Sequence, residues 1–249
     1  MRVVEGMAGR TIAAAAARIA ARRLDMVVDG LEHVPASGPL LIVARHYHHL
    51  YDGVMLLAAV PRRLHIVVAL DWARTRRERA VMEWAVGAAR WPALLRDDAL
   101  AAGQQRSAFR RDEVARYRLA AVRLAVRLLA AGAAVLVFPE AYPDVDPRFT
   151  PKTRPGEMLP FRPGFAVIRE LTRRRTGMKV PIVPAGLAYE PGTRWRAALR
   201  FGRALPADAA TATLVRIAER RVAALSAPIR SGRVSTALDQ RELVLRSHV

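Results

Sequence analysis

Charge interrupts this chain of 249 residues so often that no uncharged stretch, that of residues 128–139 included, is longer than 12 residues. A helix that crosses a bilayer needs roughly 20 consecutive apolar residues, so we do not expect an integral membrane protein. The apolar runs that remain, at residues 40–44, 64–69 and 133–138, have the length of buried strands. The chain is thus expected to build its core from short strands.

Helical patterns separate these runs. Residues 74–90 and about 208–225 are typical of helices, and residues 112–131 open with acids and stop before Gly132, which can terminate a helix. Pro181 and Pro184, in a further run at 180–184, indicate an edge strand or a strand end. Strands that alternate with helices predict an α/β fold with short buried strands in one sheet. Residues 141–164, rich in Pro, Asp and Arg, are expected to form a functional loop.

The N-terminal segment has its own pattern. Ile12, Ile19 and Met26 recur every seventh residue, and Arg18 and Arg22 fall on the other side. This predicts a basic amphipathic helix, which can anchor at an anionic membrane surface or pack on the rest of the protein. We therefore divide the chain into an N-terminal helix (residues 1–27) and a domain (residues 28–249).

The net charge of +19, from 41 basic and 22 acidic residues, implies negatively charged partners. Nucleic acid, anionic lipid headgroups and phosphorylated substrates all satisfy that condition. Only 6% of the residues are aromatic and the arginines are spread along the whole chain, which argues against nucleic acid. The absence of cysteine excludes disulfides, thiolate metal sites and cysteine nucleophiles.

The densest cluster of ionisable side chains directly follows the apolar run 40–44. It contains His46, His48, His49 and Asp52. In α/β sheets, functional sites lie just beyond the carboxyl ends of strands. Histidine can accept a proton near neutral pH, and a nearby carboxylate can orient its ring. Glu140, which follows the run 133–138 after a proline, gives a second signal at the same edge.

A metal site is the alternative interpretation of this cluster. His46 and His48, with Asp52 nearby, are possible zinc ligands of a metal-dependent hydrolase. The His-x-His-x-Asp-His pattern of such enzymes is broken, however, because Leu50 and Tyr51 occupy its last two positions. The other histidines are scattered singly along the chain, so we expect no metal.

Four blocks in order resemble the glycerolipid acyltransferases of the lysophosphatidic-acid-acyltransferase-like group, over about residues 28–205. The blocks are residues 30–35 with 38–43, His46 with Asp52-Gly53, Phe138-Pro139-Glu140 followed by Phe161-Arg162-x-Gly164, and residues 180–184. The resemblance implies a single domain with a mixed central sheet flanked by helices. It also implies acyl transfer from acyl-CoA or acyl carrier protein to a lysophospholipid hydroxyl, by default that of lysophosphatidic acid, without a cofactor.

The resemblance implies that His46 is the general base and that Asp52 orients it. Five residues separate the two, where the family has four, so His48 and His49 remain alternative bases. The residue before the histidine is Arg45 instead of the family's asparagine. Ala141 likewise replaces the glycine that follows the Phe-Pro-Glu motif.

The same resemblance assigns substrate binding to a second set of residues: Arg96, Phe138, Pro139, Glu140, Arg162 and Gly164. Since Glu140 repels phosphate, we expect it to hold an arginine, Arg96 or alternatively Arg90, that binds the acceptor's phosphate. Arg162 is expected to be a second phosphate ligand, for either the acceptor or the donor. The implied location is the cytoplasmic face of an anionic membrane, as a peripheral protein. A non-catalytic protein that binds nucleic acid or membrane is the remaining alternative.

Overall fold

Helices and strands alternate in the computed structural model, which describes residues 2–101, 106–147, 149–154 and 156–229. The helices are α1 (Arg2–Arg23), α2 (Tyr51–Ala59), α3 (Arg76–Ala89), α4 (Asp97–Ala101), α5 (Val114–Ala130), α6 (Gly164–Thr176) and α7 (Thr211–Leu225). The strands are β1 (Leu24–Asp29), β2 (Leu40–Ala44), β3 (Leu64–Ile66), β4 (Val68–Ala69), β5 (Ala93–Leu94), β6 (Ala134–Val137), β7 (Ile182–Glu190) and β8 (Trp195–Phe201).

Six of these strands form one mixed sheet in the order β1-β8-β7-β2-β6-β3. Strands β7, β2, β6 and β3 run parallel, β8 is antiparallel to β7, and β1 is parallel to β8. Strands β4 and β5 form a separate two-stranded parallel sheet. This arrangement confirms the expected α/β domain with a mixed central sheet flanked by helices.

The side chains of β2 alternate between two halves of the core. Leu40 and Ile42 face a cluster that includes residues of α2 and the end of α1, whereas Leu41 and Val43 face residues of α5, α6 and α7. A parallel strand covered by helices on both faces must be apolar throughout, which explains its uninterrupted hydrophobic run. Because β2 and β6 are parallel neighbours, their carboxyl ends lie side by side at one edge of the sheet.

Helix α1 ends earlier than the sequence pattern predicted. Met26 belongs to β1, where it pairs with Ala197 of β8, so it is not part of the apolar face of the helix. The buried face of α1 contains Ala16 and Ala20, and the helix packs against α2 and α3. Strand pairing of residues 24–29 overrides the helical repeat there. None of the helices in the described ranges is long and apolar enough to span a membrane.

Pro181 directly precedes β7 and so marks a strand end, as expected, but that interpretation is wrong for Pro184, which lies within the strand. Strand β7 continues to Glu190 and lies inside the sheet, between β2 and β8. Pro184 sits opposite Val43, and although it lacks an N–H donor, its carbonyl accepts a hydrogen bond from the backbone N–H of Gly202 at 2.9 Å. The carbonyl of Pro184 thus still takes part in a backbone hydrogen bond, to the residue that directly follows β8.

Candidate active site

The two motifs meet at the carboxyl edge of the sheet. His46 lies just beyond β2, and Phe138 and Glu140 lie just beyond β6, the parallel neighbour of β2. The backbone N–H of His46 donates to Glu140 Oε1 at 2.8 Å, so the two loops are in direct contact. Residues 94 positions apart in sequence therefore share one site.

Among the three clustered histidines, the ring of His46 contacts Asp52. Its Nδ1 lies 2.9 Å from Asp52 Oδ2, and its side chain is 17% exposed. Since a carboxylate only accepts hydrogen bonds, Nδ1 is the protonated nitrogen of the neutral ring, and the lone pair of that tautomer is on Nε2. The ring stacks on Phe138, with centroids 4.4 Å apart and an interplanar angle of 18°. The imidazole is thus held by its edge and by its face.

Asp52 is fully buried in the first turn of α2, where it accepts hydrogen bonds from every side. Besides His46, its Oδ2 accepts the backbone N–H of Tyr47 at 2.6 Å and of His48 at 3.0 Å. Its Oδ1 accepts the Tyr189 hydroxyl at 2.7 Å. Burial, followed by the charge of Asp52, raises the pKa of Tyr189 well above its ordinary value, so the phenol remains a donor. A helix N-terminus and four donors stabilise the carboxylate without a counter-cation.

His48 and His49 have other contacts. His48 is buried, and its Nδ1 accepts the backbone N–H groups of Leu50 and Tyr51, both at 3.2 Å. Its ring therefore satisfies donors at the start of α2, the role that an N-cap side chain performs. His49 is exposed, and its Nδ1 lies 3.2 Å from the carbonyl of Val145. Of the three rings, that of His46 is the one oriented by a carboxylate.

Burial, reinforced by neighbouring His49, lowers the pKa of His48 to about 4. The unfolded chain binds a proton there below about pH 6.5, so the free energy of unfolding should fall as pH drops from about 6.5 towards 4, by at most about 1.4 kcal/mol per pH unit. The variant His48→Asn keeps a helix-capping oxygen and removes this titration. Urea unfolding at about pH 7 and about pH 5 should show a smaller stability loss for H48N than for wild type. An equal loss in both proteins would contradict the assignment.

Glu140 does not hold Arg96, and that expectation is wrong. Its Oε2 accepts hydrogen bonds from Lys152 Nζ at 2.6 Å and from the backbone N–H of Leu159 at 3.1 Å. Burial raises the pKa of Glu140, and the adjacent ammonium of Lys152 opposes that rise. The segment after β6 folds back over the motif and places Lys152 against the carboxylate of Glu140. The ion pair is therefore formed with this lysine and not with an arginine.

Arg96 is committed elsewhere. Its guanidinium is 4% exposed, contacts the carboxylate of Asp71 through Nε and Nη2, and donates from Nη1 to the carbonyl of Ala141 at 3.0 Å. It also lies over the ring of Tyr142 at 4.2 Å. The contact with Ala141 joins the β5–α4 loop to the segment after Glu140. Arg90, the alternative, terminates α3 in a left-handed conformation.

The remaining predicted residues lie on the segment that leads into α6. Arg162 is half-exposed, pairs with Asp98 at 2.7 Å and lies 5.8 Å from the Tyr142 ring centroid. Its backbone N–H donates to the carbonyl of buried Pro139 at 3.1 Å. Gly164 begins α6, and a Cβ there would meet no heavy atom within 4 Å. Gly164 therefore matches the motif by its position in the sequence, and no close contact requires a glycine there.

Two residues at the site were missed by sequence reasoning. Tyr189 donates to Asp52 from the far end of β7, and Lys152 lies in the loop of residues 141–164 that was expected to be functional. Nothing in the sequence around Tyr189 marks it. Lys152 carried a usable signal, because the chain has only one other lysine, Lys179.

Ala141, which stands in the position of the family's glycine, has a φ of +67°. A left-handed backbone conformation costs a non-glycine residue about 1–2 kcal/mol, which a glycine at this position would not incur. Glycine, however, has more conformational freedom in the unfolded chain, which cancels about 0.5–1 kcal/mol of that gain. Ala141→Gly should therefore raise the free energy of unfolding by about 0.5–1 kcal/mol, measured by urea denaturation. Ala120→Gly, on the exposed face of helix α5, is the control and should lower it by a similar amount. Equal destabilisation by both substitutions would show that Ala141 is not strained.

The metal alternative finds no support in the donor geometry. In the part of the chain that the structure describes, no three His, Asp or Glu side chains lie close enough together to hold an ion. Nδ1 of His46 faces Asp52, and Nδ1 of His48 accepts two backbone N–H groups. The residues of the broken zinc pattern are thus engaged with one another and with the backbone.

Comparisons with family models and with solved structures found proteins that this chain is similar to. A family model described as Acyltransferase matches residues 25–188. No curated protein matches the sequence. Among solved structures, the chain is similar to the crystal structure of PlsC, the 1-acyl-sn-glycerophosphate (LPA) acyltransferase from Thermotoga maritima. The TM-score is 0.56, the sequence identity is 18%, and the match covers 90% of this chain and 81% of that one. The likeness shows a shared fold.

Proposed function

The chain belongs to the acyltransferase family, and from this premise we propose that it moves a fatty acyl group from acyl-CoA or acyl carrier protein to the hydroxyl of a lysophospholipid. Lysophosphatidic acid is the default acceptor, which is also the acceptor named for the structurally similar PlsC. The observation that carries the proposal is the 2.9 Å contact between His46 Nδ1 and Asp52 Oδ2. It leaves Nε2 as a base in a partly open site.

The proposed reaction needs one proton acceptor and no covalent intermediate. Nε2 of His46 takes the hydroxyl proton as the acceptor oxygen attacks the thioester carbonyl. The C–O bond forms, the C–S bond breaks, and the imidazolium returns the proton to the departing thiolate. Asp52 stabilises the imidazolium and fixes its tautomer. In the described ranges no serine hydroxyl hydrogen-bonds to His46, and the chain has no cysteine, so direct transfer is the simpler route.

We assign the acceptor's phosphate to Arg162 instead of Arg96. The guanidinium of Arg162 is half-exposed, and its partner Asp98 is equally exposed, so a phosphate can replace that pairing at little cost. Arg96 would have to give up a buried bidentate contact with Asp71, which costs far more. Arg96 then supports the site through its contact with Ala141.

We also propose that the protein acts at the surface of an anionic membrane. Helix α3 presents Arg77, Val81 and Trp84 on one exposed face, and Trp84 is 74% exposed. A solvent-facing tryptophan beside arginines, on a chain with a net charge of +19, matches the pattern of interfacial helices. The described part of α1 is a weaker candidate, because Ala16 and Ala20 face the protein.

Removal of Trp84 tests this surface. Trp84→Ala should weaken binding to vesicles that contain phosphatidylglycerol by about tenfold, or about 1.4 kcal/mol, because the indole no longer enters the interface. Vesicle sedimentation measures the change. Leu119→Ala, an exposed apolar residue on α5, is the matched control and should bind as wild type does. Equal binding by W84A and wild type would place the contact elsewhere.

The proposed function is tested by acyl transfer from radiolabelled palmitoyl-CoA to a panel of lysophosphatidic acid, other lysophospholipids and glycolipids. Released thiol can be followed in parallel with a thiol reagent, since the protein has no cysteine to react. Labelled product from one phosphate-bearing acceptor is the expected result. Thiol release without labelled lipid would indicate a hydrolase, and no turnover with any acceptor would refute the proposal.

A further inference from the structure

Lys152 occupies the centre of a buried ionic cluster beside the candidate base. Its Nζ lies 2.9 Å from the carbonyl oxygen of His46, 2.6 Å from Glu140 Oε2 and 2.5 Å from Asp144 Oδ1. The side chain is 2% exposed. An ammonium has three N–H donors, and each has its own acceptor here. The lysine is therefore fully committed to holding its neighbours.

Together with Glu140, Lys152 holds the main chain of His46 from both sides. Glu140 Oε1 accepts the backbone N–H of His46, while Lys152 donates to its carbonyl. An ion pair between the two side chains connects these two contacts. We call this arrangement the His46 clamp, formed by Glu140 and Lys152. Asp52 and Phe138 hold the ring, so the clamp fixes the backbone from which the ring projects.

The clamp is extended by a second pair. Asp144 accepts from Arg45 Nη2 at 3.1 Å as well as from Lys152, and Arg45 also donates to the carbonyl of Gly156 at 2.9 Å. Two cations and two carboxylates thus balance in charge. This arrangement joins Asp144, Lys152 and Gly156, which lie between β6 and α6, to Arg45 and the backbone of His46. Buried ions are tolerated because each one is paired and hydrogen-bonded.

The choice of lysine at position 152 is informative. Of 41 basic residues, 39 are arginines, the only exceptions being Lys152 and Lys179. A planar guanidinium fits one carboxylate in bidentate fashion, whereas a compact ammonium directs single N–H groups to separate acceptors. Three acceptors, one of them a backbone carbonyl, meet at Nζ. The geometry needs a lysine in a chain that otherwise uses arginine.

We propose that Lys152 is a positioning residue for acyl transfer, which closes the His46 clamp and sets where the base stands relative to the acceptor hydroxyl. The proposal rests on the proposed function of His46 as the base. A misplacement of about 1 Å can cost about 10²-fold in rate. Removal of Lys152 should therefore lower kcat and leave substrate binding nearly unchanged.

The test compares Lys152→Met with Lys179→Met, which replaces the only other lysine. K152M should lower kcat by about 10–10²-fold, with KM for donor and acceptor within about twofold. K179M should behave as wild type. Lys152→Arg keeps the charge, yet it should fail to restore kcat, because a guanidinium does not match three separate acceptors. A kcat for K152M within about twofold of wild type, at a temperature where circular dichroism shows it folded, would overturn the proposal.

K152M leaves the buried carboxylate of Glu140 without its cation, which can unfold the protein. The double variant E140Q/K152M removes that charge and should fold, while its kcat stays as low as expected for K152M because the clamp is open. Wild-type kcat in the double variant or in K152R would also overturn the proposal.

A readout that does not depend on activity separates this proposal from the proposed function. The imidazole Cε1–H signal of His46, assigned by its absence in His46→Ala, should shift or broaden in E140Q/K152M and stay in place in K179M. If wild type transfers no acyl group and the signal still changes, the proposed function fails and the clamp stands. If transfer is normal and neither kcat nor the signal changes in the variants, the clamp fails and the function stands.

Discussion

Replacing His46 with alanine is expected to lower kcat by about 10²–10⁴-fold, which corresponds to about 3–5 kcal/mol of transition-state stabilisation. Among the clustered histidines, only this ring has its Nδ1 against a carboxylate, and its Nε2 is left to accept the proton of the acceptor hydroxyl. KM for the acyl donor should change little, because the base acts on the acceptor. Steady-state transfer from radiolabelled acyl-CoA measures both constants.

His49→Ala is the matched control for this prediction. His49 lies three residues further along and is exposed, and its Nδ1 contacts only the carbonyl of Val145. H49A should retain wild-type kcat. If H49A loses activity and His46→Ala retains it, the base is His49, and the orientation of His46 by Asp52 serves structure alone.

The strands that position the site were predictable because they are buried on both faces. Residues 40–44 and 133–138 read as apolar runs since helices cover both sides of β2 and β6. The polar residues that directly follow such runs lie at the carboxyl edge in any parallel arrangement. His46 and Glu140 were therefore recognisable from the sequence, and so was their meeting point.

The partners of those residues were not predictable to the same degree. Glu140 was expected to hold Arg96, but the loop of residues 141–163 brings Lys152 to it first, while Arg96 pairs with Asp71. Which cation reaches a buried carboxylate depends on the path of the loop, and no local pattern encodes that path. The contact of Tyr189 depends in the same way on the length of β7, which Pro181 before the strand and Pro184 within it concealed.

The prediction for residues 24–29 was wrong for a different reason. Their seven-residue apolar repeat continued the pattern of α1, so Met26 was assigned to the helix. Pairing with β8, about 170 residues away, decides that they form a strand. Local periodicity does not contain the hydrogen bonds that a distant strand contributes. The edge strand β1 depends on such pairing, and the local sequence therefore did not reveal it.

Asp52→Asn is expected to lower kcat by about 10²–10³-fold while the protein stays folded. The amide oxygen can still accept the three donors that converge on Oδ2, among them His46 Nδ1, and the amide nitrogen can donate to the Tyr189 hydroxyl. What is lost is the negative charge that stabilises the imidazolium when His46 accepts the proton. Measuring kcat together with thermal unfolding by circular dichroism distinguishes an effect of the lost charge on catalysis from an effect on folding.

Two further variants bracket that result. Tyr189→Phe removes one of the four donors to Asp52 and keeps the charge, so kcat should fall by less than about tenfold. Asp52→Ala leaves four buried or partly buried donors without this acceptor, so the free energy of unfolding should drop by about 3 kcal/mol or more. If D52N retained nearly all of the wild-type kcat, Asp52 would act as an anchor for the start of α2. The base would then function without its carboxylate, and the contact between His46 and Asp52 would no longer carry the proposed mechanism.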